Sequence, residues 1–287
     1  MQVNQKTILF VNHVSSHRGG SEFSLTSTLD ALQKENKYLI KVVLPSSGLL
    51  VKYIEDKNID VKIIKDESWR FWYRKKSQLI IFFLSIFKIL TNLYTWVIYL
   101  KTEQPDIIHV NINRTIIPII AAKIVRIKAI VHFRDIVSLM RYKFVLGEKN
   151  YFKIMNFSKI WVANSFASKK DIIEMKKDKK VHVLNNFLDI EKFHKKSQLE
   201  KKHEIINSKK FAVAMVGGIS PWKNQLDFIK VAKKVLDKRG DVCFYIFGNI
   251  ISRNYYELLK NEKKKHILKN QIIFGGFIND IPKLLSS

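Results

Sequence analysis

One cysteine, Cys243, stands in 287 residues. A disulfide framework is therefore excluded, and its place in the apolar run VCFYIF reads as a reduced core thiol in a cytosolic setting. The opening MQVNQKTILFVNH has too short an apolar stretch, followed too soon by polar residues, for a secretory leader. No short-period repeat is present, which argues against a solenoid. Acidic residues are scarce, 25 against 51 Lys and Arg, for a formal charge of +26. Such a balance favours polyanionic partners: nucleic acid, an anionic membrane face or phosphorylated substrates. The chain also lacks an RNP-like aromatic pattern, zinc-finger spacing and a basic-zipper heptad. Without them, runs such as KKDKK (176–180) and KKKH (263–266) supply only nonspecific electrostatics, and no specific nucleic-acid partner is expected. No Cys or Asp/Glu cluster stands at ligand spacing beside His13, His109 or His132, so neither a metal nor another cofactor is expected.

What is there is a globular composition, 47% hydrophobic, in a length suited to about two domains. Short β-branched runs recur at 7–13, 38–44, 61–64, 106–112, 128–133, 159–164 and 181–186. Helix-length segments separate them at 20–35, 48–58, 78–102, 114–126, 147–157 and 165–178, several opened by caps such as Ser165. The alternation predicts a parallel, doubly wound sheet with ligands beyond the carboxyl ends of its strands. From residue 191 to 210 the chain is charged and without apolar periodicity, which reads as a linker between a first domain, 1–190, and a second, 211–287. The second domain offers strands at 211–218, 242–248 and 271–276, with helices between them.

The first strand hands over to its helix through HRGGSEFS (17–24). Gly19 and Gly20 remove the Cβ atoms that would keep an anion from the helix N-terminus. A two-glycine turn also simply ends a strand tightly, and this stretch alone leaves both readings open. Histidines at strand ends have a similar ambiguity, because a hydrogen-bonded core position is their common fate.

Residues 69–100, WRFWYRKKSQLIIFFLSIFKILTNLYTWVIYL, raise the question of a membrane span, since about 23 helical residues would cover ~34 Å. Ser77, Ser85, Lys88, Thr91, Asn92 and Thr95 fall within one side of the helical wheel. That polar stripe argues against spanning and for a core helix over at least the C-terminal half. WRFWYRKK, with four aromatic and four basic residues, suits an interface with anionic lipid and predicts peripheral attachment to the inner face of the cell membrane.

Several stretches, in order along the whole chain, resemble family 4 of the retaining, nucleotide-sugar-dependent glycosyltransferases with the GT-B fold. HRGGSE resembles the N-terminal glycine loop, DIIHVN the Asp-x-x-His strand, IVHFRD the strand ending in histidine and VLNNFLDIEKF the "pNGvD…F" segment. VANSFASKKDI resembles the strand–Ser–helix unit, VGGISPWKNQLDFIKVAKKV the nucleotide-domain opening VGR-x-x-x-x-KG, and IIFGGFINDIPKLL a later strand of that domain. The resemblance implies an α/β fold of two Rossmann-like domains and transfer of a sugar from a nucleoside-diphosphate donor to a lipid-linked or surface-polysaccharide acceptor. It implies retention of configuration, with the acceptor attacking the face the leaving group departs from and a phosphate oxygen taking its proton. His132 matches the histidine facing the donor sugar, and His109 orders its strand end. Gly19, Gly20, Gly217, Gly218 and Lys223 fall on donor-binding positions, with Lys223 stabilising the departing diphosphate. In a chain this basic, a solvated surface lysine is the competing reading of Lys223. Two positions depart from the pattern: Gly218 stands where arginine is usual, removing a planar cation, and Asn224 where glycine is usual.

In the resembled family the second domain continues into units carrying an E-x7-E glutamate pair, and here the sequence ends at Ser287 before one. The expectation is a truncated second domain, little transfer by the chain alone, and a separate chain supplying the missing part. The competing class is a non-catalytic nucleotide-sugar-binding or membrane-associated protein.

Overall fold

The computed structural model describes residues 5–16, 19–73, 79–140, 142–176, 178–199, 211–265, 271–278 and 280–285. His17, Arg18, Arg74, Lys75, Lys76, Ser77, Lys177 and His266 lie outside the described residues, as do residues 200–210 of the expected linker. The chain divides into two compact units, Met1–Phe187 and Leu188–Ser287.

In the first unit the strands are β1 (Lys6–Val11), β2 (Tyr38–Leu44), β3 (Asp60–Ile63), β4 (Trp72–Tyr73), β5 (Ile107–Val110), β6 (Lys128–Phe133), β7 (Lys143–Phe144), β8 (Ile160–Ala163) and β9 (Val181–Val183). Its helices are α1 (Gly20–Glu35), α2 (Leu49–Glu55), α3 (Leu79–Leu84), α4 (Ile86–Glu103), α5 (Ile117–Ile124), α6 (Glu148–Met155) and α7 (Phe166–Met175). Among the described residues, seven parallel strands run in the order β3-β2-β1-β5-β6-β8-β9. This is the Rossmann pattern, in which the order reverses between β1 and β5 and opens a crevice beyond their C-terminal ends.

Period-two alternation decides which strand residues face which helices. Leu9, Val11, Ile108, Val110, Val131 and Phe133 join a core cluster with Trp96, Leu100 and Ile119. Phe10, Ile40, Val42 and Leu44 pack with Leu25 and Leu29 of α1 on the opposite face. Being buried on both faces, these strands read as continuous apolar runs, which is why they were legible in the sequence. The two-residue strands β4 and β7 pair antiparallel, Trp72 opposite Phe144. No apolar run in the sequence announces so short a pairing.

The second unit carries α8 (Ile190–Leu199), β10 (Phe211–Val216), α9 (Gln225–Leu236), β11 (Val242–Phe247), α10 (Arg253–Lys265), β12 (Ile272–Gly276) and α11 (Ile281–Leu285). Its three described strands are parallel in the order β10-β11-β12, and β11 is buried throughout, Cys243 included. The expected linker is corrected in its first part. Residues 190–199 form α8, which packs within the second unit against α11, because tertiary packing stabilises a short charged helix with few apolar residues.

The single helix expected over residues 78–102 is corrected to two, α3 and α4, separated at Ser85. The polar stripe faces partly inward: Ser85 and Asn92 are 5% and 8% exposed. Asn92 accepts from the Glu67 N–H (3.2 Å) and donates to the Lys65 carbonyl (2.6 Å), while Ser85 accepts from Arg70 (2.7 Å). Satisfied in this way, polar groups are buried at little cost. The core role of the C-terminal half holds, with Trp96 and Leu100 fully buried. Among the described residues no helix is long and apolar enough to cross a membrane.

Candidate functional site

In the first unit, polar residues gather where the strands end. Asn12 follows β1, Asn111 follows β5, Arg134 follows β6, and Asn186 lies three residues beyond β9. Asn111, fully buried, donates to Asn12 Oδ1 (2.9 Å) and to the Ser21 carbonyl (3.2 Å), spanning the crevice between β1 and β5.

Arg134 is the hub. Its Nε donates to the Asn111 carbonyl (2.9 Å), its Nη2 to Asn111 Oδ1 (2.7 Å), and its Nη1 to Ser24 Oγ (2.7 Å) and Asn186 Oδ1 (3.1 Å). A guanidinium has five N–H donors in a rigid fork, so one side chain ties α1, the end of β5 and the segment after β9. Burial lowers its pKa to about 10 and the Glu22 carboxylate opposes that shift. Arg134 therefore stays charged at neutral pH.

Glu22 is 3% exposed and folds back over the turn at Gly19. A Cβ on Gly19 would lie 2.3 Å from Glu22 Oε2. A side chain at Gly19 would therefore displace the Glu22 carboxylate of this same chain, a contact the glycine pair alone did not disclose. Beside Gly20 the space is open, and Gly19 offers α1 no side-chain cap.

His109 and His132 occupy neighbouring strands on the face of Phe10 and α1. His109 pairs in register with Ile130, two residues before His132, so both rings project to one side. They stack at 5.7 Å with an interplanar angle of 16°, and Phe10 sits 4.9 Å from His109. His132 is 2% exposed and neither ring nitrogen has a hydrogen-bond partner among the described residues. Burial, then Arg134 and then His109, lower its pKa to about 2, while burial and Arg134 lower that of His109 to about 3. Both imidazoles are neutral at any physiological pH.

The sign of the pH effect follows. The unfolded chain takes up protons below about pH 6.5 that the folded chain refuses until far lower, so stability present above that pH is lost as the medium is acidified. Urea unfolding at pH 7.5 and 5.5 should show a loss on the order of 1–1.5 kcal/mol for each of these two histidines. His132→Asn should flatten that dependence, and an unchanged dependence would contradict the burial argument.

His13, unlike His132, lines a cavity of about 340 Å³ together with Trp69, Arg70, Trp72, Arg114 and Tyr142. Burial, then Arg114 and Arg134, lower its pKa to about 4. The cavity combines two guanidinium groups, Arg70 ion-paired with Glu67 and Arg114 with Asp135, with the carboxyl of Asp66 and three flat aromatic faces, a chemistry suited to polar groups and to sugar rings.

In the second unit, the turn after β10 holds Gly217, Gly218 and Lys223. The aliphatic stem of Lys223 passes over Gly217, with Cδ 3.9 Å from where a Cβ would stand. Fully buried Gln225 donates to the Gly218 carbonyl (3.1 Å), and the Lys223 N–H donates to the Ser220 carbonyl (3.0 Å). A side chain at Gly218 would begin 2.4 Å from Ile251 Cδ1, so neighbouring packing already fills the space an arginine would leave by. Asn224 has φ 56° and ψ 39°, the left-handed conformation that glycine and asparagine both tolerate. That departure is structurally conservative.

The expected site residues thus fall into two sets, Gly19, Gly20 and His132 in the first unit and Gly217, Gly218 and Lys223 in the second. Glu22, Asn111, Arg134 and Asn186 were not singled out as site residues in the sequence. For Asn111 and Arg134 the available signal was a polar residue immediately beyond an apolar strand, as in IVHFRD and IIHVN, whereas Glu22 and Asn186 had none of that kind.

Residues 18–192 match the family model described as Glycosyltransferase Family 4, and residues 196–287 match Glycosyl transferases group 1. A curated relative, the UDP-Gal:alpha-D-GlcNAc-diphosphoundecaprenol alpha-1,3-galactosyltransferase of Escherichia coli, is 28% identical over 223 residues, 71% of this chain and 55% of the relative. The matched part thus spans little more than half of that protein's length. Among solved structures, Anabaena Alr3699/HepE in complex with UDP superposes with a TM-score of 0.71 at 20% identity, over 96% of this chain and 71% of the other. A glycosyltransferase from Rickettsia africae superposes at 0.65 with 20% identity, over 98% and 70%. These likenesses place the fold in the GT-B class.

Proposed function

The chain belongs to glycosyltransferase family 4, and on that footing we propose that it transfers a sugar from a uridine-diphosphate donor, with retention of configuration, to a lipid-linked diphosphate acceptor. The printed activity of the E. coli relative and the UDP bound to the Anabaena protein support the choice of donor and acceptor class. One structural observation carries the reading furthest. The stem of Lys223 lies across Gly217 at the C-terminal end of β10, leaving its ammonium at a turn where backbone and cation can hold a diphosphate.

In the proposed reaction Lys223, at the glycine turn of Gly217 and Gly218, stabilises the negative charge left on the departing diphosphate. Neutral His132 positions the donor sugar, and Gly20 leaves the N-terminus of α1 open. The cavity of His13, Arg70 and Arg114 receives the acceptor, its guanidinium groups meeting polar groups and its aromatic rings the sugar.

Thermal melts with nucleoside diphosphates test the donor. A ligand that binds only the folded chain at 100 times its Kd adds about 2.7 kcal/mol of stability, so UDP is expected to raise the midpoint more than GDP or ADP. Transfer of labelled sugar to a lipid diphosphate, with product anomeric configuration read by NMR, tests the reaction. The absence of any midpoint change with all nucleoside diphosphates would remove the reading, whereas binding without transfer would leave a nucleotide-sugar-binding protein.

A further inference from the structure

The outer surface of α3 and α4 is apolar where a water-facing helix is ordinarily polar. Ile80, Phe83, Leu84, Phe87, Leu90, Tyr94 and Ile98 follow at spacings of one, three and four, and are 45–80% exposed. Ser85 and Asn92 turn inward to hold Arg70, Glu67 and Lys65, so that of the described polar stripe only Lys88, Thr91 and Thr95 share the outer surface with these apolar side chains.

We propose that this face docks on an anionic lipid bilayer, with α3 and α4 lying in the interface instead of crossing it. Charge complementarity selects this occupant. Lys88 and Lys101 are exposed on α4, while among the described residues of α3 and α4 the single acidic side chain is Glu103, at the far end and ion-paired with Lys41. A second copy of a chain carrying +26 would bring like charges together, whereas anionic headgroups neutralise them. The aromatic residues fit the same depth. Trp69, 53% exposed with the Arg70 guanidinium 4.4 Å above its ring, and Tyr94, 68% exposed, present the amphipathic rings that settle at headgroup level.

Trp69 and Ile81, which is 39% exposed, also line the cavity of His13 and Arg114. The docking face therefore continues into the cavity wall. Resting on the proposed lipid-linked acceptor, the bilayer-seated face would let a phosphorylated headgroup enter the cavity while its acyl or prenyl part stays in the membrane.

Flotation of the full chain with phosphatidylglycerol or phosphatidylcholine vesicles, with no donor or acceptor present, tests the docking alone. The parent is expected to float with phosphatidylglycerol vesicles. Phe83→Asp/Phe87→Asp should weaken that partition by at least about tenfold, since both side chains are solvated in the free protein and buried in the bound one. Lys88→Glu/Lys101→Glu should weaken it severalfold, and high salt should do the same. If the aspartates lower the melting midpoint, Phe83→Ser/Phe87→Ser is read in their place. A parent that ignores anionic vesicles, or phenylalanine variants that bind as tightly as the parent, overturns the proposal. So does a lipid-free dimer that the same variants dissociate, which would assign the face to a second copy. Transfer to a short-chain, water-soluble acceptor is read separately, so loss of docking and failure of the proposed function give different outcomes.

Discussion

Arg134→Met is expected to cost the folded chain about 3 kcal/mol, the scale for leaving several buried acceptors without their charged donor. The reason is what remains behind. Asn111 loses three bonds from the guanidinium, Ser24 and Asn186 lose one each, and Glu22, 3% exposed, is the carboxylate whose charge supports the buried Arg134 cation. Arg134→Lys keeps the charge but not the fork, so it should lose less and still fall short of the parent. The check is a double-mutant cycle in urea. Glu22→Leu on the Arg134→Met background should recover part of the loss, because an uncompensated buried carboxylate is then gone. Additive single and double effects would mean that Arg134 acts through its hydrogen bonds alone. A loss under 1 kcal/mol would mean that the hub does not organise the strand ends.

Lys223→Ala should leave the melting midpoint unchanged, because the side chain is exposed and only its stem touches Gly217. Under the proposed function it should lower sugar transfer by about 10²–10³-fold, the scale for removing one preorganised charge-stabilising group. The expected loss lies in kcat as well as kcat/KM, since charge on the diphosphate grows toward the transition state. Lys223→Arg should restore part of the rate. A variant that transfers sugar at the parental rate would return Lys223 to the surface lysines from which its position distinguishes it.

The correctly read strands share one property. β1, β2, β5, β6 and β11 are short apolar runs bounded by polar residues, and burial on both faces leaves that pattern in the sequence whatever the surroundings. The loops after β1 and β10 were legible through glycine and lysine at motif positions. Glu22 was visible only as half of a Ser-Glu pair, because its role depends on Arg134, which is 112 residues away in the chain, by subtraction of their numbers. Two charges at such a separation carry no mutual signal until β1 and β6 are placed in one sheet. Helix α8 was hidden for the opposite reason: its few apolar residues, Ile190, Phe193 and Leu199, are set among charged ones, and its partner α11 lies far along the chain.

Local pattern alone determined the alternation of strands and helices, because it depends on residues close in sequence. Tertiary structure decided the rest. It chose Glu22 as the group packed on Gly19, gathered Asn111, Ser24 and Asn186 around Arg134, and turned Ser85 and Asn92 inward and Phe83 and Phe87 outward. Hydrogen-bond partners drawn from other elements decide whether a polar side chain can be buried, and no window of one helix contains them.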